Sequence, residues 1–361
     1  MKAWILEKPG GALSLQNVPT PAVRPGCALV EMEAVPLLSY TRAYLDGDLP
    51  YWYPEKPFTP GANGVGVIKE VGEGLYHLKA GQRVAVTPYL VANEPVADPA
   101  QILMGLSGIS ADSGQMLADW PDGTLREMAL LPASTVTVID GLEAVSSAKL
   151  AASAKFVVAL GGLLRGRLAA GETLIVHGAT GYFGSAAVML GVAMGAERVI
   201  AAGRNQETLL TLADQVGPQV VPVVLSGKVE DDVAKLKEAA GGAVQLGFDM
   251  VGMADSPNGT LAVLNALGRG GRLVLGGSMT VPLPISYGNL LRNNWEIIGN
   301  FMYLPEAYRT LMSLFRAGKI DLEKINTSSF DLADLDQAID AASAMRGLDC
   351  VVVTMDGETF S

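Results

Sequence analysis

Thr173-Leu-Ile-Val-His-Gly-Ala-Thr-Gly-Tyr-Phe-Gly184 is an apolar strand running directly into three glycines spaced Gly178-x-x-Gly181-x-x-Gly184. An Ala/Val/Met/Leu-rich stretch follows at once and predicts a helix. A strand that turns on glycines into a helix leaves bare backbone amides at the helix's positive end, which suits a phosphate. A second apolar strand, Arg198-Val-Ile-Ala-Ala202, ends at Gly203-Arg204-Asn205, nineteen residues after Gly184. A dinucleotide-binding fold meets the adenosine ribose at that distance. An acid there selects NAD, because its charge repels a 2′-phosphate; Gly203 and the cation Arg204 favour NADPH instead. The residues expected to hold the cofactor are therefore Gly178, Ala179, Thr180, Gly181, Tyr182, Phe183, Gly184, Gly203, Arg204 and Asn205. A glycine triplet alone says little in a chain with 42 glycines. The two strands and the helix supply the context the motif needs.

Outward from that stretch, strand and helix signals alternate: 174–176, 198–202, 220–225, 246–251 and 272–275 read as strands, with helices after Gly184 and Asn205 and from Glu230 and Thr260. Alternation at this spacing means a doubly wound parallel sheet with right-handed crossovers, with 296–300 as its last strand. Residues 1–145 read differently, as short strands between Gly/Pro turns: 27–35, 64–71, 82–86 and 134–139. They predict an antiparallel, barrel-like β domain. Residues 91–123 carry Pro95, Pro99, Gly105, Gly108, Gly114 and Pro121 and predict an irregular lobe. The tail, a helix over 331–340 and a strand over 349–354, is expected to return to the first domain. The resulting division is 1–145 completed by 303–361, and 146–302 for the cofactor domain.

At 361 residues the chain has room for two cores, and 49% hydrophobic with 17% charged residues describes a globular α/β protein. Thirty-seven acids against 26 bases give a net charge of −11, which repels nucleic acid and anionic membranes. Apolar runs such as 156–164 are interrupted by glycines and too short to span a bilayer. The opening Met1-Lys-Ala-Trp-Ile-Leu-Glu7 lacks a signal-peptide core, so a cytoplasmic location is expected. Cys27 and Cys350 have no metal or redox spacing and read as buried thiols.

The order of parts resembles the medium-chain dehydrogenase/reductase superfamily over nearly the whole chain. The resemblance rests on the 60–66 turn (Pro-Gly-Ala-Asn-Gly-Val-Gly), the strand entry 79–84, the segment 123–129, the Gly178 fingerprint, Phe248-Asp-Met-Val-Gly252 and Gly268-Arg-Gly-Gly-Arg-Leu-Val274. It implies a GroES-like catalytic domain beside a Rossmann cofactor domain. It also places Gly277, Ser278, Asn300 and Met302 in the loops flanking the nicotinamide. Zinc-dependent members hold a catalytic zinc with two cysteines and a histidine. Here those positions fall on Leu38, Ala62 and near Ala151, with Asn63 in place of the following acid, and 91–123 lacks the cysteines of a structural zinc loop. His77 and His177 are the remaining histidines and read as structural. No metal is expected, and the chain looks like the zinc-free quinone oxidoreductase and enoyl reductase branch.

Without a Lewis acid, hydride transfer to an isolated ketone loses oxyanion stabilisation, whereas a conjugated acceptor spreads the charge. The expectation is an NADPH-dependent reductase of α,β-unsaturated carbonyls or quinones. A carbonyl or imine reductase, or a non-enzymatic NADPH-binding protein, are the alternatives. Tyr40, two residues beyond Leu38, takes the place of the hydroxyl that starts the proton relay in zinc members; it is a hydrogen-bond or proton donor, or it packs in the wall. Tyr53 in Tyr53-Pro-Glu-Lys-Pro57 resembles the proton donor of enoyl thioester reductases, and the same run is ordinary turn chemistry. Tyr51 and Trp52 read as an apolar wall for a flat substrate. Asn63 offers an amide donor or holds its loop. Lys155 stands where the family commonly has a threonine, either to hold an anion or to reach solvent. Dimers are common in the family, and 281–285 is a plausible contact.

Overall fold

Leu174, Ile175 and Val176 are completely buried, as are Val199, Ile200, Ala201 and Ala202 on the neighbouring strand. Such runs belong in a parallel sheet covered on both faces, where there is no solvent side to reward alternation. In the computed structural model, which describes residues 1–304 and 306–355, these strands form a six-stranded parallel sheet. Its spatial order is Val220–Val224, Arg198–Gly203, Thr173–His177, Leu246–Asp249, Arg272–Leu275 and Glu296–Gly299. The chain winds outward one way from Thr173–His177, then restarts on its other side with Leu246–Asp249. The sheet's topological switch therefore lies at the C-terminal end of Thr173–His177, where ligands bind in such sheets.

The helix Tyr182–Ala193 is apolar all round, and nine of its residues from Tyr182 to Gly191 are buried. A helix with no polar stripe is covered by protein on every side. Helix Ala154–Arg165 packs as closely: a Cβ at Gly162 would stand 2.2 Å from the Phe248 ring. Residues 147–165 make one helical stretch whose length and composition would suffice to cross a membrane, but 72% of it is buried inside the fold. That stretch is longer than the 156–164 run recognised in the sequence, because residues 147–155 extend it.

The chain forms two compact units. One comprises Met1–Ala154, Ile325–Met345 and Cys350–Ser361; the other comprises Lys155–Lys324 and Arg346–Asp349. Sequence alone put the divisions at 145/146 and 302/303. Helix Glu306–Arg316 lies with the second unit because Phe315 meets Phe156 edge-on at 6.1 Å. The short piece 346–349 joins the second unit although the chain on either side belongs to the first.

In the first unit, Cys27–Pro36 is the organising strand. It pairs antiparallel with Gly64–Val71, Met128–Pro132 and Asp349–Thr354 within a seven-stranded sheet. The 91–123 lobe is more regular than its glycines and prolines imply. It contains strands Gln101–Leu103 and Ser107–Gly108, part of a three-stranded sheet with Tyr89–Val91, and helix Ser113–Asp119. These strands are three residues or fewer, too short for periodicity to register.

Candidate active site and cofactor turn

Gly178 closes the central strand with φ +81, a conformation L side chains rarely adopt. Its N–H and that of Ala179 donate to Ala202 O (3.0 and 3.1 Å), which ties the turn to the adjacent strand. Gly181 N donates to Gly178 O at 3.0 Å, and the helix starts at Tyr182, inside the glycine motif and two residues before Gly184. A Cβ on Gly184 would lie 2.0 Å from Gly178 O, so only glycine lets the first helical turn approach. The helix thus presents the amide end of its first turn, with Tyr182 and Phe183 stacked edge-on at 4.9 Å. Phosphate is the ligand this arrangement fits.

The second element of the cofactor site is equally direct. Strand Arg198–Gly203 ends at a buried Gly203, and Arg204 is exposed immediately after it. Asn205 caps the next helix, its side chain accepting from Thr208 N at 3.0 Å; this structural bond accounts for the residue. Gly277 packs so tightly that a Cβ would come 2.2 Å from Val251 O. Ser278 accepts from Met253 N at 2.7 Å through its hydroxyl, and Asn300 donates to Met302 O at 3.1 Å, with Met302 held at φ +54. These four residues follow strands at the same end of the parallel sheet as the glycine turn.

His177, the last residue of the central strand, is paired with Asp249 in the register of the neighbouring strand, and Nδ1 lies 3.1 Å from Asp249 Oδ1. Thr260 donates to Asp249 Oδ2 at 2.5 Å and Val251 N to Oδ1 at 3.1 Å. Burial pushes the Asp249 carboxyl up, but these hydrogen bonds and His177 outweigh it and hold it below its ordinary value. The cluster braces the turn, in keeping with a structural histidine. His77 is exposed.

Lys155 is fully buried, which excludes the solvent reading. Its Nζ donates to Gly347 O (3.0 Å) and Asp349 O (3.1 Å) and lies 4.9 Å from the centre of the Tyr182 ring.

In the first unit, four tyrosines come together. Tyr44 and Tyr53 stack at 4.9 Å, and Tyr51 lies 5.9 and 6.4 Å from their rings. Tyr40 and Tyr51 are hydrogen-bonded phenol to phenol. Burial raises the Tyr40 phenol well above its ordinary value, and the Tyr51 contact raises it further; burial also raises Tyr51. Both are therefore neutral hydroxyls, with Tyr40 donating to Tyr51. Tyr53 donates to Tyr44 O at 2.7 Å, and burial pushes its phenol to about 12. That bond gives Tyr53 a structural role. Asn63 likewise holds its loop: Nδ2 donates to Val86 O at 3.3 Å and its carbonyl accepts from Thr124 at 2.9 Å. Tyr51, read from sequence as apolar wall, is the polar partner of Tyr40; the aromatic run Tyr51-Trp52-Tyr53 carries no periodicity that could have singled it out.

Tyr40 lines a cavity of about 20 Å³ with Leu38, Thr41, Tyr44, Ala62 and Leu106. That is room for one water or one substrate oxygen. Tyr53, stacked on Tyr44, lines an open cleft of about 520 Å³ with Trp52, Lys56, Ser110, Gln115 and Leu117.

The second unit thus carries a dinucleotide-type turn, and the first a tyrosine-lined cavity. Residues 24–141 match the alcohol dehydrogenase GroES-like domain, and residues 183–317 match the zinc-binding dehydrogenase domain. Their order places the chain in the medium-chain dehydrogenase/reductase superfamily. An alcohol dehydrogenase of Geobacillus stearothermophilus is 29% identical, with 89% of this chain and 90% of that protein covered. A putative D-xylulose reductase of Agrobacterium fabrum is 25% identical over 97% of each. The fold is also that of 2R,3R-butanediol dehydrogenase from Bacillus subtilis, with TM-score 0.82, 20% identity, and 98% and 99% of the two chains covered. A putative zinc-binding dehydrogenase from Sinorhizobium meliloti bound to NADP has TM-score 0.77 and 22% identity, with 98% of each chain covered.

These relatives overturn the expected enone and quinone chemistry. They are named for alcohols and sugars, whereas the conjugated acceptor was expected only from the absence of zinc ligands. The zinc that the family implies does not fit the residues present: Leu38 and Ala62 offer no donor, and the Asn63 side-chain amide donates to Val86 O. Among the described residues, no three His, Cys, Asp or Glu side chains gather where a metal could be held.

Proposed function

We propose that this protein interconverts an alcohol, of the simple or polyol kind, and its carbonyl compound with NADP(H), and does so without zinc. The alcohol and sugar dehydrogenases to which it is similar along most of its length support the substrate class. The observation that carries the metal-free reading is Tyr40, hydrogen-bonded to Tyr51 behind it, at a cavity whose lining has no metal ligand. When bound, the nicotinamide supplies or accepts the hydride.

The chain's own residues do the rest. The 178–184 turn binds the pyrophosphate, and Arg204 meets the 2′-phosphate. The Tyr40 phenol, which lines the cavity, turns to the substrate oxygen and passes it a proton, with Tyr51 as its hydrogen-bond partner, because a neutral phenol donates where no cation is available to stabilise an oxyanion. Two copies associate through the edge strand Glu296–Gly299 and the adjoining 281–285 segment, where Tyr287 and Leu291 are 79% and 65% exposed.

A panel of secondary alcohols, polyols, ketones and enones, run with NADP(H) and NAD(H) before and after chelation, tests this reading. Turnover of alcohols or ketones that persists after chelation, in protein with no stoichiometric zinc, is the expected result. Turnover restricted to enones, or lost with the metal, sinks it.

A further inference from the structure

We infer that Lys155 is a positioning residue for the pyrophosphate, acting through the four-residue strap 346–349. The inference rests on reading the 178–184 turn as a dinucleotide site. Lys155 opens helix Ala154–Arg165 and is completely buried. A buried ammonium is costly unless its hydrogen bonds are well made. Its Nζ donates to two carbonyls of the strap, Gly347 O and Asp349 O, and faces the Tyr182 ring at 4.9 Å.

The strap in turn grips the glycine turn. Gly347 N donates to Thr180 O at 3.0 Å, and Gly347 O accepts from Ser185 as well as from Lys155. Gly347 has φ +52, the left-handed conformation that sets the peptides on its two sides toward their separate partners. The Thr180–Gly181 peptide is thereby fixed at both ends, its carbonyl by Gly347 and its N–H by Gly178 O. Since that peptide sets the direction of the first helical amides, the strap determines where they aim. The Lys155 side chain locks the strap through both carbonyls and stands behind the helix end, against the Tyr182 ring.

The test compares wild type, Lys155→Met and Ser185→Ala by titration with NADPH, NADH, ADP-ribose and adenosine. Lys155→Met is expected to weaken NADPH, NADH and ADP-ribose about tenfold each, and to leave adenosine, which carries no phosphate, at the wild-type affinity by ligand-observed NMR. Ser185→Ala, which keeps the charge but removes one bond to Gly347, is expected to weaken the phosphorylated ligands about threefold. It serves if Lys155→Met does not fold. Wild-type affinity for ADP-ribose in the variants, or an equal loss for adenosine, overturns the role of Lys155. Failure of wild type to bind NADPH, NADH or ADP-ribose would instead refute the dinucleotide reading.

Discussion

In the proposed NADP(H) site, Arg204 and Gly203 divide one task between them. Gly203 keeps the space beside Thr180 open, since a Cβ there would already stand 3.3 Å from Thr180 Cγ2, and Arg204 supplies charge just beyond it. A charge-assisted bond to a phosphate contributes about 1.5–3 kcal/mol. Arg204→Ala should therefore raise the dissociation constant of NADPH by roughly ten- to a hundredfold and change that of NADH by less than about threefold. Paired fluorescence titrations check this, and equal losses would show that the arginine does not reach the phosphate. At this scale the sequence was legible for residues whose backbone conformation matters, such as Gly178 and Gly184. It was poor for residues whose meaning depends on a partner far along the chain. Nothing local distinguishes Lys155 from a surface lysine, because its acceptors at 347 and 349 are about two hundred residues away. Tyr51 was obscured differently: its partner Tyr40 is near in sequence but lies before helix Thr41–Asp46, and no periodicity links the two.

The helix Tyr182–Ala193 is the element on which the cofactor site depends, and its start inside the glycine motif brings its amides against the strand end. Gly184→Ala places a methyl group 2.0 Å from Gly178 O, a backbone atom with no rotamer to yield. Overpacking of this kind costs about 1–3 kcal/mol. Thermal unfolding should record that loss, and cofactor affinity should fall about tenfold as the first turn is displaced. A variant that binds and melts like wild type would mean that the helix does not need this close approach. The six strands of the parallel sheet were readable because each is an apolar run between turn residues, and their ends were displaced by two residues or fewer. The 91–123 lobe was not, since its strands are held by tertiary pairing with Tyr89–Val91 and not by their own pattern.

Across the whole molecule, a net charge of −11 keeps copies apart unless a specific surface brings them together. Among the described residues, strand Glu296–Gly299 has a partner on one side only, and an open edge of this kind pairs readily with another chain. Light scattering is expected to give a dimer for wild type, and Leu291→Asp together with Tyr287→Asp should give a monomer. A monomeric wild type would end that proposal. Two units and their cores were visible in the sequence as a change of periodicity near residue 145, but the return of 346–349 to the second unit was not, because four residues bury too little to leave a pattern. That return has a consequence for synthesis. The ribosome completes the glycine turn long before it reaches the strap, and Ser185 waits 162 residues for the carbonyl it will bind. A nascent chain can build its parallel sheet early, yet it acquires a finished phosphate cradle only after residue 347 has emerged.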